Sequence, residues 1–240
     1  MNKNKKSTTI VVVIIIIILI GLFAYYYGDF SFSKNNNLGE NSTSTSSNVK
    51  NVGGIVIDSK GGDFTVTELP PSSLPALKPV AQPDLDRKIN FSKNLSAEVL
   101  SILNKNISDL SSELKKDSKN TDSWLALGIQ YKIVGDYEAA RDAFAYAGWI
   151  GQNLFVPFYN LGDLYNSSLK DYPKSEENYL RAIENNPQYI QSYVGLAELY
   201  RYSMNDKVSA KKYYTKALNE AVSQKNVSLE ASLKAEIQSF

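Results

Sequence analysis

The chain has 240 residues, a formal net charge of +1 at pH 7, and neither cysteine nor histidine. Without those two residue types, thiolate catalysis, nucleophile–histidine pairs and nearly all zinc sites are excluded. The near-neutral balance gives no overall field that would attract nucleic acid. No phosphate-binding loop or metal-ligand spacing is present in the sequence. We therefore expect no catalytic, metal or cofactor site and no nucleic-acid partner.

An uncharged run, mostly isoleucine and valine, occupies residues 10–27. As a helix it would span about 27 Å, close to the roughly 30 Å apolar core of a bilayer. Basic residues precede it within residues 1–9, so we expect the N-terminus in the cytoplasm and the C-terminal domain outside it. A cleaved signal peptide is the alternative, but the run is longer than usual for one and lacks small residues at both cleavage positions.

The next segment, residues 28–87, is predicted to be a mostly disordered linker that is first Ser/Asn-rich and then Pro-rich. Its first part has too little to bury to offset the entropy of ordering it. β-Prone runs flank Gly61-Gly62 and fit a short hairpin at 52–69, while a tether with incidental β-propensity fits equally well. Prolines from Pro70 to Pro83 predict an extended, semi-stiff spacer.

A three-fold internal repeat fills most of the remaining chain, residues 88–240. Its aligned leucines, Leu127, Leu161 and Leu196, are 34 and 35 residues apart. A period of this size indicates a solenoid of stacked helical hairpins. The repeated patterns are Trp124-x2-Leu127-Gly128-x2-Tyr131, Phe158-x2-Leu161-Gly162-x2-Tyr165 and Tyr193-x2-Leu196-Ala197-x2-Tyr200, followed by Ala140-x3-Phe144, Ser175-x3-Tyr179 and Ala210-x3-Tyr214.

This motif resembles the tetratricopeptide repeat (TPR) family. The resemblance implies an all-α, right-handed superhelical array of about three hairpins, at about 121–154, 155–189 and 190–224. Small residues at 128, 162 and 197 fit the contact between the two helices of a hairpin, because larger ones would cost roughly 1–3 kcal/mol by overpacking. Repeats two and three carry one extra residue at their internal turns. An amphipathic helix from about Ser96 precedes the array, and a capping helix is predicted at 227–240.

The resemblance also implies that the first helix of each hairpin lines a concave groove. Mostly polar side chains with two rings in its columns suit recognition of an extended peptide. A solvated inner surface, or one filled by the last helix, is the alternative. The groove columns hold Leu125, Ile129, Lys132, Tyr159, Asn160, Asp163, Asn166, Gln191, Val194, Glu198, Arg201 and Tyr202. The carboxylate pairs Asp136/Glu138 and Glu176-Glu177 are predicted to lie on exposed positions.

The predicted function is a membrane-anchored scaffold or assembly factor that binds a partner protein or peptide in the groove, outside the cytoplasm. The binding half follows from the repeat, and the location follows from the apolar run and the linker. The main alternative is a self-associating structural envelope component, which would be a homo-oligomer. An enzyme built only from carboxylates, Lys, Tyr, Ser or Thr is the remote third option.

Overall fold

In the computed structural model of this chain, the structure describes residues 48–52, 55–60, 63–68 and 74–240. The prediction of an all-helical array is confirmed for residues 97–240, where three hairpins follow one helix and precede another. The eight α-helices of this part are α1 (Ala97–Lys116), α2 (Thr121–Val134), α3 (Tyr137–Ile150), α4 (Val156–Leu164), α5 (Tyr172–Asn185), α6 (Ile190–Glu198), α7 (Lys207–Ser223) and α8 (Val227–Gln238).

A separate small unit precedes the array and contains a three-stranded antiparallel sheet. Its strands are β1 (Asn48–Val52), β2 (Ile55–Lys60) and β3 (Asp63–Glu68). Strand β2 lies in the middle, with Ile57 paired to Lys50 on one side and to Val66 on the other. Strand β1 falls in the stretch interpreted from sequence as tether, because its polar composition gives little β signal until the neighbouring strand supplies a partner.

Aspartates 35 residues apart begin the second helix of every hairpin. As N-caps, Asp136, Asp171 and Asp206 accept hydrogen bonds from the backbone N–H three residues further on, at 3.0 to 3.2 Å. Such capping contributes about 1 kcal/mol to a helix start. The backbone N–H of each aspartate donates back to the carbonyl of the tyrosine column, at Tyr131, Tyr165 and Tyr200.

The extra residue in the second and third hairpins is absorbed by π-helical turns. These turns, Tyr165–Leu169 and Leu199–Ser203, continue α4 and α6. A π turn takes one more residue than an α turn to close its hydrogen bond, so the capping aspartate keeps its contact with the tyrosine carbonyl. The first hairpin lacks the extra residue and turns instead at Gly135, whose φ of 88° favours glycine.

The helices of each hairpin approach as closely as the small-residue column predicts. A Cβ on Gly128 would stand 2.4 Å from the Phe144 ring, and one on Gly162 would stand 2.8 Å from the Tyr179 ring. Both distances are far below van der Waals contact, so neither position admits a methyl group without rearrangement. The leucine at 127, which begins the motif's Leu-Gly pair, is fully buried beside this contact.

Residues 74–95, which we call the strap, run along the first two hairpins without helix or strand and make one turn at residues 85–86. Apolar side chains of the strap, including Leu77, Leu85 and Ile89, pack against the core of those hairpins. Alternate residues from 83 to 89 are half-buried, so one side of this stretch faces the helices. Residues 74–87 were predicted as part of a linker whose prolines make an extended, semi-stiff spacer. In the structure their apolar positions hold this stretch against the helices.

The predicted membrane anchor, residues 10–27, lies outside the described residues, as does most of the predicted linker up to residue 47. Among the helices of the described part, none combines the length and the apolarity needed to cross a bilayer. The anchor and the sidedness of the chain stay predictions.

Candidate binding surface of the repeat array

Four predicted groove residues lie on the first helices of the three hairpins or on the turn that continues the last of them. We call Lys132, Asp163, Glu198 and Arg201 the inner row. Lys132, near the end of α2, forms an ion pair with Asp163 of α4. Asp163 acts electrostatically on Glu198 of α6, and Arg201 follows Glu198 in the same hairpin. The inner row therefore has a member on the first helix of every hairpin.

The ion pair between Lys132 and Asp163 links the first hairpin to the second. Both side chains are about one-third exposed, so solvent screens their attraction. The strap reaches the same helix end, where Lys93 Nζ donates to the backbone carbonyl of Lys132 at 3.2 Å. Because its charges already neutralise each other, this end of the row offers a ligand polar contacts rather than a net charge.

The carboxylate of Glu198 is the central charge of the inner row. Its side chain is exposed, yet protein surrounds it closely enough that desolvation raises its pKa, with smaller contributions from Asp163 and Glu236. Within the described part of the chain, no Lys or Arg forms an ion pair with it. A ligand cation or hydrogen-bond donor placed here would meet an uncompensated carboxylate.

Arg201 at the far end of the row is held by the last helix and the residues after it. Its guanidinium donates to Glu236 at 2.5 Å and to the hydroxyl of Ser239 at 3.1 Å. It also lies 4.6 Å from the ring centre of Phe240. The last helix and the residues after it therefore contact the inner row at this end. Sequence reasoning missed Glu236 because the repeat period does not fix how the last helix is rotated against α6.

Asn166 and Tyr202 lie on the two π turns. Asn166 accepts a hydrogen bond from the hydroxyl of Ser203 at 2.7 Å, which joins the second and third hairpins. Tyr202 is 68% exposed, the most exposed aromatic side chain among the described residues of the array. Ser203 was not predicted, although its place in the extra-residue turn was visible in the sequence.

The remaining predicted groove residues do not join the inner row. Tyr159 lies in an aromatic cluster, with its ring centre 5.3 Å from that of Tyr189 and 6.0 Å from that of Tyr179. Asn160 donates to the carbonyl of Val156 in its own helix at 2.9 Å. Ile129, Leu125 and Val194 are partly buried against the core, and Gln191 is half-buried on the first turn of α6.

The carboxylates that looked exposed in the sequence have structural contacts. Asp136 is only 2% exposed, because the strap covers it: the backbone N–H of Asn90 donates to its carboxylate at 2.8 Å and Arg87 lies 3.5 Å away. Glu176 accepts a hydrogen bond from the hydroxyl of Tyr200. Burial, with a smaller contribution from Glu176, raises the pKa of that hydroxyl. Over the described ranges, no group of acidic side chains is arranged to hold a metal ion.

Comparisons with known proteins found one family model and several similar solved structures. The family model described as "Tetratricopeptide repeat" matches residues 157–189, so the second hairpin is a tetratricopeptide repeat. Similar solved structures include "Crystal structure of MamA" and "Crystal structure of MamA protein", both 23% identical in sequence to this chain. They have TM-scores of 0.49 and 0.48, cover 54% of this chain, and are themselves covered over 74% and 69%. No curated protein sequence matches the chain.

Proposed function

We propose that this chain is a membrane-anchored scaffold that binds a partner protein or peptide along the inner row, outside the cytoplasm. A tetratricopeptide repeat within an all-helical array is typical of protein-interaction scaffolds. The observation that carries the proposal is the uncompensated, exposed carboxylate of Glu198, four residues before the exposed ring of Tyr202. An exposed carboxylate and an exposed aromatic ring are groups that recognise peptides through charge and apolar contact.

The rest of the inner row has a positioning role in this proposal. Lys132 and Asp163 neutralise each other, and Arg201 is held by Glu236. Their substitution would disturb packing between hairpins as well as binding. Glu198 and Tyr202 are therefore the residues at which binding can be tested with the least effect on the fold.

The binding test uses the full chain in its own membrane, crosslinked and purified with its partners. The test variant is Glu198→Gln/Tyr202→Ala. The matched control, Glu184→Gln/Val222→Ala, removes a carboxylate and an apolar side chain that are exposed outside the inner row. We expect a partner protein that the wild type and the control capture and the test variant loses.

Other results of that test would contradict the proposal. Equal capture by both variants would place the partner elsewhere on the chain. Crosslinking of the chain only to itself would favour the self-associating structural component.

The proposed location, anchored in the membrane with the array outside the cytoplasm, is supported by the uncharged run at 10–27, its basic flank and the segment that follows. A reporter enzyme active only outside the cytoplasm, fused after Phe240, tests it directly. We expect an active fusion. A fusion that is inactive outside and active with a cytoplasmic reporter would refute the location and leave the binding proposal standing.

A further inference from the structure

The second helices of the three hairpins have equivalent outer positions. Phe144, Tyr179 and Tyr214 align at intervals of 35 residues, and each is buried in its hairpin. Two such intervals place Lys212 of α7 at the position of Asp142 in α3 (212 − 142 = 70). One interval places Lys216 of α7 at the position of Arg181 in α5.

On the first two hairpins, the strap contacts these outer positions. Arg87 Nη1 lies 3.8 Å from the carboxylate of Asp142. The carbonyl of Pro75 accepts a hydrogen bond from Arg181 at 2.6 Å, which satisfies a guanidinium that is nearly buried. An extended segment thus docks on α3 and α5 through charged side chains at these repeat positions.

The corresponding face of α7 is strongly basic. Its lysines form no ion pair with a carboxylate of the described chain, and Lys212 and Lys216 lie over the Tyr213 ring at 5.4 and 5.2 Å. Val208 on the same face is 83% exposed. Together they border an open depression of about 630 Å³, which we call the α7 depression, lined mainly by Lys207, Val208, Lys211, Lys212, Lys216 and Phe240.

We propose that the α7 depression binds an extended acidic segment of a partner protein that also carries an apolar side chain. Lysines four residues apart on a helix are about 6 Å apart along its axis. Alternate residues of an extended chain point to the same side and are about 6.6 Å apart. Carboxylates at alternate positions would therefore meet Lys212 and Lys216, while an apolar side chain fills the space against Val208.

The shape of the surface favours a peptide over a membrane. A flat anionic bilayer would contact the lysine ammonium groups but leave the depression and its apolar wall of Val208 and Phe240 unfilled. A peptide side chain fills the depression and keeps its carboxylates beside the same ammonium groups. Phe240 borders the depression and also lies 4.6 Å from Arg201 of the inner row, but the lysines substituted in the test below are not part of that row. Loss of acidic-peptide binding and loss of inner-row binding can therefore be distinguished.

The test measures binding of a fluorescent peptide of about 12 residues, with glutamate at alternate positions and one central leucine. The full chain is held in nanodiscs of phosphatidylcholine. The test variant is Lys212→Glu/Lys216→Glu, and the matched control, Lys116→Glu/Lys119→Glu, changes the net charge equally at exposed lysines of and after α1. In about 0.1 M salt we expect roughly tenfold weaker binding by the test variant and little change in the control.

A second peptide, with glutamine in place of every glutamate, tests the same claim on the unaltered protein and should bind at least about tenfold more weakly. A photoreactive leucine analogue in the first peptide should crosslink within residues 207–223. Equal weakening by both charge variants, or equal binding of both peptides, would overturn the proposal. So would binding of phosphatidylglycerol vesicles that depends on Lys212 and Lys216 when the acidic peptide does not bind.

Discussion

The outer faces of the first two hairpins and of the third differ although their cores follow one pattern. On α3 and α5 the strap contacts the outer positions: Arg87 lies 3.8 Å from the carboxylate of Asp142, and the carbonyl of Pro75 accepts a hydrogen bond from Arg181. On α7 the equivalent positions are Lys212 and Lys216, and the described chain places no carboxylate against them. The repeat thus fixes the buried columns, whereas each outer face is free to acquire its own cover or its own ligand.

Asp136 is the residue whose substitution should most destabilise the part of the array that the strap covers. Asp136→Ala removes a helix cap and a buried acceptor for the backbone of Asn90 and for Arg87. We expect a loss of about 3 kcal/mol of unfolding free energy, since a cap and a charged hydrogen bond are lost together. Urea unfolding monitored by circular dichroism measures this loss of unfolding free energy.

The matched control is Asp206→Ala, which removes the equivalent cap of α7 where no strap lies. Its shift in the urea midpoint should be clearly smaller. Equal shifts for the two variants would mean that the strap adds nothing to the covered face.

The next largest effect compares the small-residue columns. Gly128→Ala forces a methyl into the Phe144 ring, and we expect a net loss of about 2 kcal/mol because overpacking outweighs the better helix propensity of alanine. Ala197→Gly in the third hairpin should cost about 1 kcal/mol, from propensity. Thermal unfolding of the two variants measures both losses, and the midpoint should fall further for Gly128→Ala than for Ala197→Gly. A stabilised Gly128→Ala protein would contradict the close contact.

A smaller effect concerns the inner row. A double-mutant cycle with Lys132→Met and Asp163→Asn should give a coupling energy of about 0.5 kcal/mol, because both side chains are one-third exposed. The Lys105–Asp109 pair on α1 is far more exposed and serves as the control, with a smaller coupling expected. If the coupling energy between Lys132 and Asp163 were zero even in low salt, where screening is weakest, the ion pair would not link the two hairpins.

The smallest effect is a pH dependence from Glu198. Desolvation by the surrounding protein raises the pKa of the Glu198 carboxyl in the folded state, so the folded chain holds the proton more tightly than the unfolded chain does. The contribution of the protonated Glu198 carboxyl to the free energy of unfolding is complete below the ordinary carboxyl pKa of about 4.3. It is lost as the pH rises through the raised pKa of the folded state. Glu198→Gln should therefore gain a few tenths of a kcal/mol relative to wild type near neutral pH, an amount limited by solvent screening. Denaturant titrations at several pH values test this sign.

How much the sequence predicts depends on the range of the contacts. The leucine, small-residue and ring columns were predictable because each recurs at a fixed interval and packs within its own hairpin or against the next. The contacts of the strap were not predictable from the sequence. Arg87 contacts Asp136 across 49 residues and Pro75 contacts Arg181 across 106, and no sequence period relates the members of either pair. Lys132, Asp163 and Glu198 were placed together because the repeat period relates their positions. The ion pair between Arg201 and Glu236 was missed because Glu236 lies outside the repeats.

The central claim is that partners bind the inner row while the strap occupies the outer face of the first two hairpins. Site-specific photocrosslinking in the native membrane tests both halves at once, with the photoreactive residue at Tyr202 or at Asp142. We predict a crosslink to a second protein from position 202 and an intramolecular crosslink to the strap from position 142. A second protein captured from position 142 and none from position 202 would contradict the account.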